Sequence, residues 1–452
     1  MFLGICIGQL FCLIAYEYEE SFLKNMLELV KPSGIMLRPM SLENTVGAVA
    51  YLQRHANLPL LIAANLEKGA SGAVTEGTNF ASPMEIGATG DTEMAARLGE
   101  ICGREASACG VNWAFAPIID IDYNFRNPIT NTQTFGSDPA LVRDMGVAFV
   151  RAIQSQGMAA AIKHFPGDGC DERDQHLVTS INDLSCEQWD ATFGEVYRAS
   201  IEAGAKTCMV GHILQPAYSR KLNPALKDEE MMPATLSAEL VNGLLKEKLG
   251  FNGLVVTDAT TMAGLAAAMP RHLAVSTAIA CGCDMFLFCR NAGEDLAFMK
   301  QGILDGIITQ ERLKEAVCKV LALKASLRLP QKRADGTLIP GMKNARAAVG
   351  LEKHRRWAAE CADRAVTLVK EEKGVLPLSP QRTKRLLFYP IQSEQGMYSA
   401  DVGAVAQFAN LLKDEDFEVT MYQPNPGFEG MMSAQSDILE TVHTNVAKKS
   451  MI

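Results

Sequence analysis

The sequence predicts an α/β protein, a (β/α)8 TIM-like barrel followed by a smaller α/β domain. The chain has 452 residues, more than the roughly 250–300 at which a single core stops growing, so at least two domains are expected. Short apolar runs recur along it, each followed by a polar or glycine-rich turn and then by a segment with helical periodicity. Hydrophobic residues make up 48% and charged residues 21%, as in soluble globular proteins, which argues against a membrane protein and against long disorder.

Eight apolar runs are candidate strands, and eight β/α units make a closed barrel the leading fold. They are Gly8–Ala15, Gly34–Leu37, Leu60–Ala64, Asn112–Ala116, Ala159–Lys163, Lys206–Val210, Gly253–Thr257 and Asp284–Phe288. Local signals support the helices between them. Ser237 can cap a helix that runs to Leu249, before Gly250, and Asp91 can cap another that runs to Cys109. An open, doubly wound sheet would also alternate strands with helices and is the second choice.

The first candidate strand lies in the uncharged run Met1–Tyr16. This run lacks the basic start of a signal peptide, and it is shorter than the roughly 20 apolar residues that a membrane-spanning helix needs. We therefore interpret it as the first buried strand of the barrel and expect a cytoplasmic protein.

The domain organisation is predicted from changes in composition along the chain. The barrel is expected to cover residues 1–329, a linker residues 330–360 and a small α/β domain residues 361–452. The stretch Pro330–Gly341 is rich in Pro, Gly and charged residues and predicts an excursion away from the barrel. The second domain is predicted from strands at Ala365–Lys370, Arg385–Tyr389 and Glu418–Tyr422 and a helix at Ala404–Lys413. The tail Pro424–Ile452 has weak periodicity, so it stays open at this stage whether this domain is complete or truncated.

The charge balance argues against several classes of partner. Lys plus Arg number 43 and Asp plus Glu 52, a net charge of −9, so neither nucleic acid nor an anionic membrane is an expected partner. The 12 cysteines are scattered through apolar segments without paired metal-ligand spacing, which predicts reduced thiols in the core. No metal or organic cofactor is expected, and the sequence does not indicate the oligomeric state.

In a barrel of this type, reactive side chains lie at the carboxyl-terminal ends of the strands. Polar residues end or follow four of the candidate strands: Asn65 and Glu67 the third, Lys163 and His164 the fifth, His212 the sixth and Asp258 the seventh. We therefore expect these side chains to converge on one pocket.

The most specific segment runs from Lys163 to His176 and reads Lys-His-Phe-Pro-Gly-Asp-Gly-Cys-Asp-Glu-Arg-Asp-Gln-His. It resembles the signature of glycoside hydrolase family 3 β-N-acetylglucosaminidases, which is Lys-His-Phe-Pro-Gly-His-Gly, four variable residues and Asp-Ser-His, at the same spacing. Asp168 replaces the His of that signature, and Gln175 replaces the Ser. Three further segments share the resemblance: Ala116–Asp120, Thr134–Pro139 and Gly250–Asp258.

The resemblance implies a retaining glycosidase with Asp258 as its nucleophile, because a carboxylate at a strand end can attack an anomeric carbon and leave again. It also implies that His176 is the general acid/base and that Asp174 orients its ring, in place of the second carboxylate that most glycosidases use. Outside this context, Asp258 would be interpreted as a helix cap and His176 as a solvated loop residue.

The resemblance implies sugar contacts for further residues. Lys163 and His164 are expected to hold sugar hydroxyls, since both can donate hydrogen bonds; a structural pairing of Lys163 with a carboxylate is the alternative. His212 matches a family position near the pocket, where it either binds substrate or supports other residues.

Two departures from the family pattern bear on the substrate. Asn65 stands where the bacterial wall-recycling enzymes carry Asp, and Gln133 stands where they carry Arg. Loss of the cationic Arg fork weakens the inference of an anionic or peptide-bearing sugar. Arg126, nearby in sequence, either substitutes for that Arg or makes a surface ion pair.

The leading hypothesis is a β-N-acetylhexosaminidase that releases terminal β-linked N-acetylglucosamine from a small carbohydrate through a covalent glycosyl–Asp258 intermediate. A glycoside phosphorylase is the second hypothesis, because His176 repels incoming phosphate less than a carboxylate would. A β-glucosidase or β-xylosidase specificity is favoured by Asn65 and Gln133 and opposed by the Asp174 and His176 pair. A carbohydrate-binding barrel without catalysis would be expected to lack Asp258 or His176, and both are present.

Overall fold

The computed structural model describes residues 2–390 and 403–422. They belong to two compact units, one that extends to Thr367 and one that begins at Leu368. The tail Pro424–Ile452, whose periodicity is weak, lies outside the described residues. Within the described ranges, no helix is long and apolar enough to cross a lipid bilayer.

Eight parallel strands close into a barrel, which confirms the predicted fold. The strands are β1 Phe11–Ala15, β2 Gly34–Leu37, β3 Leu61–Ala64, β4 Trp113–Ala114, β5 Ala159–Phe165, β6 Thr207–Val210, β7 Leu254–Ala259 and β8 Met285–Leu287. Strands that follow one another in the chain are neighbours in the barrel, and β8 closes onto β1 with Phe286 opposite Phe11. Because all eight strands are parallel, their carboxyl ends lie at one face.

Helices connect the strands and surround the barrel. The α-helices are Glu20–Leu29, Leu42–His55, Pro83–Ala88, Thr92–Ile101, Pro139–Ser155, Cys186–Ala191, Phe193–Glu202, Pro216–Leu222, Ala263–Ala266, Arg271–Ala280, Ala292–Leu304 and Gln310–Ser326. Cys102–Ala106 and Glu239–Lys248 have the wider π-helical hydrogen bonding. Both predicted caps are confirmed, since the Asp91 carboxylate accepts from the Glu93 amide at 3.0 Å and the Ser237 hydroxyl from the Leu240 amide at 3.3 Å.

The run Met1–Tyr16 was predicted to form the first strand, but only its second half does so. Phe2–Gly8 is a helix, and β1 begins only at Phe11. A Cβ on Gly8 would lie 2.1 Å from the carbonyl oxygen of Val30, so this helix ends in close contact with another part of the chain. An uncharged run has no clear period that separates a short buried helix from a strand, and the prediction therefore merged the two.

Side chains fill the interior of the barrel. Trp113, Phe115 and Val256 belong to the interior cluster, and the indole N–H of Trp113 donates to the Thr207 hydroxyl at 2.9 Å. The cluster continues into Leu323, which lines a cleft beside residues that precede β6 and β7. The helix that carries Leu323 therefore packs at the end of the barrel where the strands begin.

The predicted excursion at Pro330–Gly341 is wrong. Leu329–Ala334 is a helix, and the guanidinium of Arg333 donates to the carbonyl oxygens of Ala56 and Asn57 at 3.1 and 3.0 Å. These carbonyls lie just beyond the end of helix Leu42–His55, where no further turn can satisfy them. Further helices, Met342–Ala348 and Glu352–Ala365, occupy most of the remaining residues predicted as a linker.

Helix Glu352–Ala365 is joined to the barrel by a buried hydrogen bond between His354 and Glu105. His354 Nδ1 lies 2.6 Å from Glu105 Oε1, and both side chains are fully buried. Glu105 also accepts from the amide and the hydroxyl of Thr78, at 2.8 and 2.7 Å. Burial alone would raise the pKa of Glu105, but the hydrogen bonds from His354 and Thr78 outweigh burial and hold the pKa below its ordinary value. This helix therefore belongs to the core of the barrel unit.

The second unit contains a parallel pair of strands, β9 Arg385–Phe388 and β10 Glu418–Met421, and the helix Ala404–Asp414, as predicted within one residue at each end. The strand predicted at Ala365–Lys370 is wrong, because Ala365 ends a helix and residues 366–370 form no strand. Val366 and Val369 are exposed, and none of the described strands pairs with them; β-branched composition alone is a weak strand signal.

Lys324 is buried at the base of the barrel, and its ammonium donates to Gln9 Oε1 at 2.9 Å. Burial and, to a smaller extent, Arg333 lower the pKa of Lys324 from 10.5 to about 7. Between these two values the unfolded chain holds one proton more than the folded chain. Lys324 therefore makes the free energy of unfolding rise with pH in this window, by roughly 1.4 kcal/mol per pH unit, and adds no pH dependence below it.

We expect Lys324→Met to remove this slope. The measurement is the free energy of unfolding in urea, for the parent and the variant, at about pH 7.5 and about pH 9.5. The variant should be the more stable protein at the lower pH, and the difference should shrink as the pH rises. Equal slopes in the two proteins would contradict the assignment.

Candidate active site

Four predicted site residues lie at the carboxyl ends of three neighbouring strands. Lys163 and His164 stand near the end of β5, His212 follows β6 by two residues, and Asp258 is the penultimate residue of β7. The three strands are adjacent in the barrel, so the structure brings these side chains together.

Asp258 is a buried carboxylate with positive groups around it. Its Oδ1 accepts the hydrogen bond of the Ala259 amide at 2.7 Å, and its Oδ2 lies 3.8 Å from His164 Nε2. Burial alone would raise the pKa of Asp258, but His164, His212, the Ala259 amide and Lys163 together lower it below its ordinary value. Asp258 is therefore ionised at neutral pH.

His164 is held by Asp120, a residue to which the sequence analysis gave no role. The His164 ring donates from Nδ1 to Asp120 Oδ2 at 2.8 Å, and the His164 amide donates to Oδ1 at 3.0 Å. Burial lowers the pKa of His164, but Asp120 and Asp258 outweigh burial and the opposing charge of Lys163, and the net shift is upward. The available signal was the position of Asp120 at the end of an apolar segment that matches the family.

Lys163 is paired with Glu67, which was expected near this pocket but had no assigned role. The Lys163 ammonium donates to Glu67 Oε1 in a short hydrogen bond, and the exposed fractions of the two side chains are 5% and 18%. The carboxylate pairing that was the alternative for Lys163 is thus present. The ammonium has three N–H donors and uses one in this pair, so it can still donate to a sugar hydroxyl.

Asp168 lies behind the pocket and also had no assigned role. Its backbone amide donates to Asp120 Oδ1 at 2.8 Å. Burial and the charge of Asp120 raise the pKa of Asp168 to about 7, against the opposing effects of His164, the Gly169 amide and Asn127.

His212 is fully buried, and both of its ring nitrogens are occupied. Nδ1 lies 2.9 Å from the Thr235 hydroxyl, and Nε2 lies 3.1 Å from the carbonyl oxygen of Ala259. Burial lowers the pKa of His212 despite the charge of Asp258, so the ring is neutral. Because a carbonyl can only accept, we assign the ring proton to Nε2, which donates to Ala259. This arrangement favours the supporting role of His212 over sugar binding.

Asp174 and His176 form a pair in the loop after β5. His176 Nδ1 lies 2.7 Å from Asp174 Oδ1, and the same oxygen accepts from the His176 amide at 2.8 Å. The hydrogen bond to Asp174 keeps a proton on His176 Nδ1. His176 Nε2 is therefore the nitrogen that can exchange a proton with a substrate. The His176 side chain is 49% exposed, so the ring is accessible.

The other predicted substrate residues lie on loops. Asn65 directly follows β3 and is half-buried, and Gln133 ends a short 3-10 turn in the loop after β4, where it is also half-buried. Arg126 lies in the same loop as Gln133, and its guanidinium is 3.6 Å from the Glu172 carboxylate. Both partners of this ion pair are exposed, so the surface pairing that was one of the two interpretations of Arg126 is present and contributes little stability.

Asp120→Asn is expected to destabilise the fold. Asp120 accepts from the His164 ring, the His164 amide and the Asp168 amide, and an Asn side chain would turn one of its acceptor oxygens into a donor. At least one pair of buried donors would then face each other. We expect a loss of about 2–4 kcal/mol in the free energy of unfolding, measured with urea.

The pH dependence of this loss tests the pairing with His164. Asp120 is the main group that raises the pKa of His164, so its contribution to stability is present below the unfolded pKa and is lost as the pH rises through the folded pKa. The difference between parent and Asp120→Asn should therefore be larger at about pH 6 than at about pH 9. The same difference at both values would contradict the ion pair.

Taken together, these groups can support covalent acid/base chemistry. The strand ends and the loop after β5 offer an ionised carboxylate, Asp258, and an accessible imidazole, His176, whose other nitrogen is hydrogen-bonded to a carboxylate. In the described part of the chain, no three His, Cys, Asp or Glu side chains are arranged to hold a metal ion.

Comparisons with known proteins identify the family of this chain. Residues 16–323 match the glycosyl hydrolase family 3 N-terminal domain. A protein of Cellulomonas fimi named β-N-acetylglucosaminidase/β-glucosidase is 50% identical over 436 residues, which are 96% of this chain and 76% of that protein.

Two solved structures extend the similarity to the fold. The β-glucoside phosphorylase BglX superposes with a TM-score of 0.89 at 43% identity, over 94% of this chain and 76% of the other. A family 3 β-N-acetylglucosaminidase of a Paenibacillus species superposes with a TM-score of 0.82 at 25% identity, over 96% of this chain and 82% of the other. The chain therefore belongs to glycoside hydrolase family 3 and is a glycosidase by family.

Proposed function

We propose that this protein is a retaining β-N-acetylhexosaminidase that uses Asp258 as nucleophile and His176 as general acid/base. The observation that carries the proposal is the state of Asp258, which is buried yet held as an anion by His164 and the groups beside it. A desolvated carboxylate with a lowered pKa can attack an anomeric carbon without first losing a proton.

In the first step, a carboxylate oxygen of Asp258 forms a bond to the anomeric carbon while the bond from that carbon to the leaving oxygen breaks. The leaving oxygen takes the electron pair of the broken bond and a proton from His176 Nε2. In the second step, a water oxygen attacks the anomeric carbon, His176 takes a proton from that water, and Asp258 leaves with its electron pair. Two displacements at one carbon retain the anomeric configuration.

Asp174 makes His176 competent for both steps. Its hydrogen bond to Nδ1 fixes the tautomer and stabilises the imidazolium, so the mobile proton is exchanged at Nε2. Lys163 and His164 are proposed to hold sugar hydroxyls with their remaining N–H donors, and Asn65 and Gln133 to contribute amide contacts from their loops.

The proposed substrate is a terminal β-linked N-acetylglucosaminide. It is supported by the Asp174 and His176 pair and by the name of the C. fimi relative, which covers both N-acetylglucosaminides and glucosides. The same name supports a β-glucoside as the alternative sugar.

A second candidate reaction is phosphorolysis at the same site. The similarity to a β-glucoside phosphorylase at 43% identity favours it, and so does the use of a histidine where most glycosidases place a carboxylate. In this reaction, phosphate replaces water in the second step and forms a glycosyl phosphate as Asp258 leaves. A neutral imidazole does not repel the phosphate anion as a carboxylate would.

The experiment is cleavage of matched aryl β-glycosides of N-acetylglucosamine, glucose and xylose, each with and without phosphate, with identification of the sugar product. Selective release of N-acetylglucosamine at a rate independent of phosphate would support the hexosaminidase. A phosphate-dependent rate with a glycosyl phosphate as product would identify a phosphorylase. A product of inverted configuration would contradict the role of Asp258.

A further inference from the structure

The loop that carries His176 has a buried anchor at the preceding residue. Gln175 is 1% exposed, whereas the side chain of His176 is 49% exposed and Leu177 is 74% exposed. The backbone carbonyl of Gln175 accepts from the Gly264 amide at 3.2 Å, and that of His176 accepts from the Ala263 amide at 2.9 Å. The loop is thus fixed beside the segment that follows β7, the strand of the nucleophile.

The side-chain amide of Gln175 can take only one orientation. Its Oε1 accepts from the His212 amide at 2.9 Å, and a backbone N–H can only donate. The Nε2 group therefore points the other way, and it donates to Asp168 Oδ2 at 3.2 Å.

Asp168 is an acceptor on both carboxylate oxygens. Oδ1 accepts from Asn127 Nδ2 at 3.0 Å and from the Gly169 amide at 2.8 Å, while Oδ2 receives the amide of Gln175. Each oxygen faces N–H groups, so an amide at position 168 would place a donor against a donor in either orientation. The two positions that depart from the family signature are thus in direct contact and complementary.

We propose that Asp168 and Gln175 are positioning residues that fix the position of the His176 ring relative to Asp258. We call this pair the Asp168–Gln175 clamp. Gln175 holds the amide of His212, whose ring in turn reaches the carbonyl of Ala259, next to the nucleophile. The clamp therefore connects the acid/base loop to the strand that carries Asp258. This inference rests on the proposed function, because it assigns the clamp to the proton-transfer steps.

The test exchanges the acid and the amide. Asp168→Asn sets a side-chain amide against the donors named above, and Gln175→Glu sets a second carboxylate against Asp168. The double variant Asp168→Asn/Gln175→Glu restores one donor facing one acceptor, because the new amide can donate to the new carboxylate. All three changes keep the size of the side chains, so cavity formation is avoided.

The readout separates proton transfer from nucleophilic attack. Dinitrophenyl β-glycosides have a leaving group that needs no proton, whereas methoxyphenyl β-glycosides need a general acid. Azide can replace water in the second step without a general base, because it carries no proton to remove. We expect each single variant to lose about 100-fold in kcat/KM on the methoxyphenyl glycoside but less than about 5-fold on the dinitrophenyl glycoside with azide. The double variant should recover to within about 10-fold of the parent on the methoxyphenyl glycoside.

Gln215 offers a matched control. It is also a fully buried glutamine beside the pocket loops, with Nε2 donating to the Leu184 carbonyl at 2.8 Å and Oε1 accepting from the Tyr218 amide at 2.6 Å. Gln215→Glu introduces the same buried charge as Gln175→Glu and is expected to lower the melting temperature without any difference between the two leaving groups.

Equal losses on both leaving groups in the single variants, or no recovery in the double variant, would overturn the clamp. The His176→Ala protein distinguishes this result from failure of the proposed function. If His176→Ala shows the leaving-group pattern and the clamp variants do not, only the clamp is overturned; if His176→Ala does not show it, both proposals are. If one single variant does not fold, the other single variant and the double variant still test the clamp by the same kinetic comparison.

Discussion

Asp258→Ala is expected to lower kcat by about 10⁴-fold or more on every glycoside that the parent cleaves, because loss of a nucleophile removes the covalent pathway altogether. The structure gives the reason in detail: Asp258 is the carboxylate beside which His164 and Lys163 place positive charge. A shorter side chain leaves these groups without the anion that they stabilise.

The measurement is turnover of an aryl glycoside together with mass spectrometry of the protein during turnover. The parent should accumulate a glycosyl adduct on the peptide that contains Asp258, and the variant should show none. Asp284 provides a matched control, because it is a buried aspartate that pairs with Arg312 and accepts from the Val255 amide at 2.9 Å, where β7 begins. Asp284→Asn should reduce stability while the adduct still forms, and an adduct in Asp258→Ala would disprove the assignment.

His176→Ala is expected to reduce kcat/KM by about 10²- to 10⁴-fold on substrates with poor leaving groups and far less on a dinitrophenyl glycoside. The reason is that an activated phenol departs without a proton, so only the second step then needs the histidine. Azide should restore turnover of the dinitrophenyl substrate and give a glycosyl azide. The assignment of His176 fails if the loss is the same for all leaving groups.

Asp174→Asn should lie between the parent and His176→Ala in the same assay. Asp174 orients the imidazole through a 2.7 Å hydrogen bond and does not itself reach the substrate in the proposed steps. Removal of a carboxylate that orients a histidine leaves the base in place but allows the wrong tautomer. A variant less active than His176→Ala would show that Asp174 acts directly.

The strands of the barrel could be predicted from sequence because each is a short apolar run bounded by turn residues, a local signal. Errors arose where long-range contacts decide the structure. Arg333 donates to the carbonyl oxygen of Ala56, 277 residues earlier in the chain. No local pattern around Pro330–Gly341 indicates this contact. Phe2–Gly8 was missed for the opposite reason, since an apolar run fits a buried helix as well as a strand.

The part of the site that could be predicted from sequence is the set of polar residues at strand ends. Lys163, His164, His212 and Asp258 do come together. The pairing of Lys163 with Glu67 and of His164 with Asp120 was not assigned, because it depends on which side chains face each other across the barrel mouth. Lys163 and Glu67 are 96 residues apart in the chain.

The buried pair of His354 and Glu105 has a consequence for how this protein can be divided. The match to the family domain ends at residue 323, before the helix that carries His354. A fragment cut after Leu329 would lose the hydrogen bond between His354 and Glu105 together with the helix that packs there. It would also loosen the loop of Thr78, which carries Glu67 as well. The segment that matches the family domain is thus shorter than the segment that packs into one core. A fragment limited to the matched residues would lack part of its own interior.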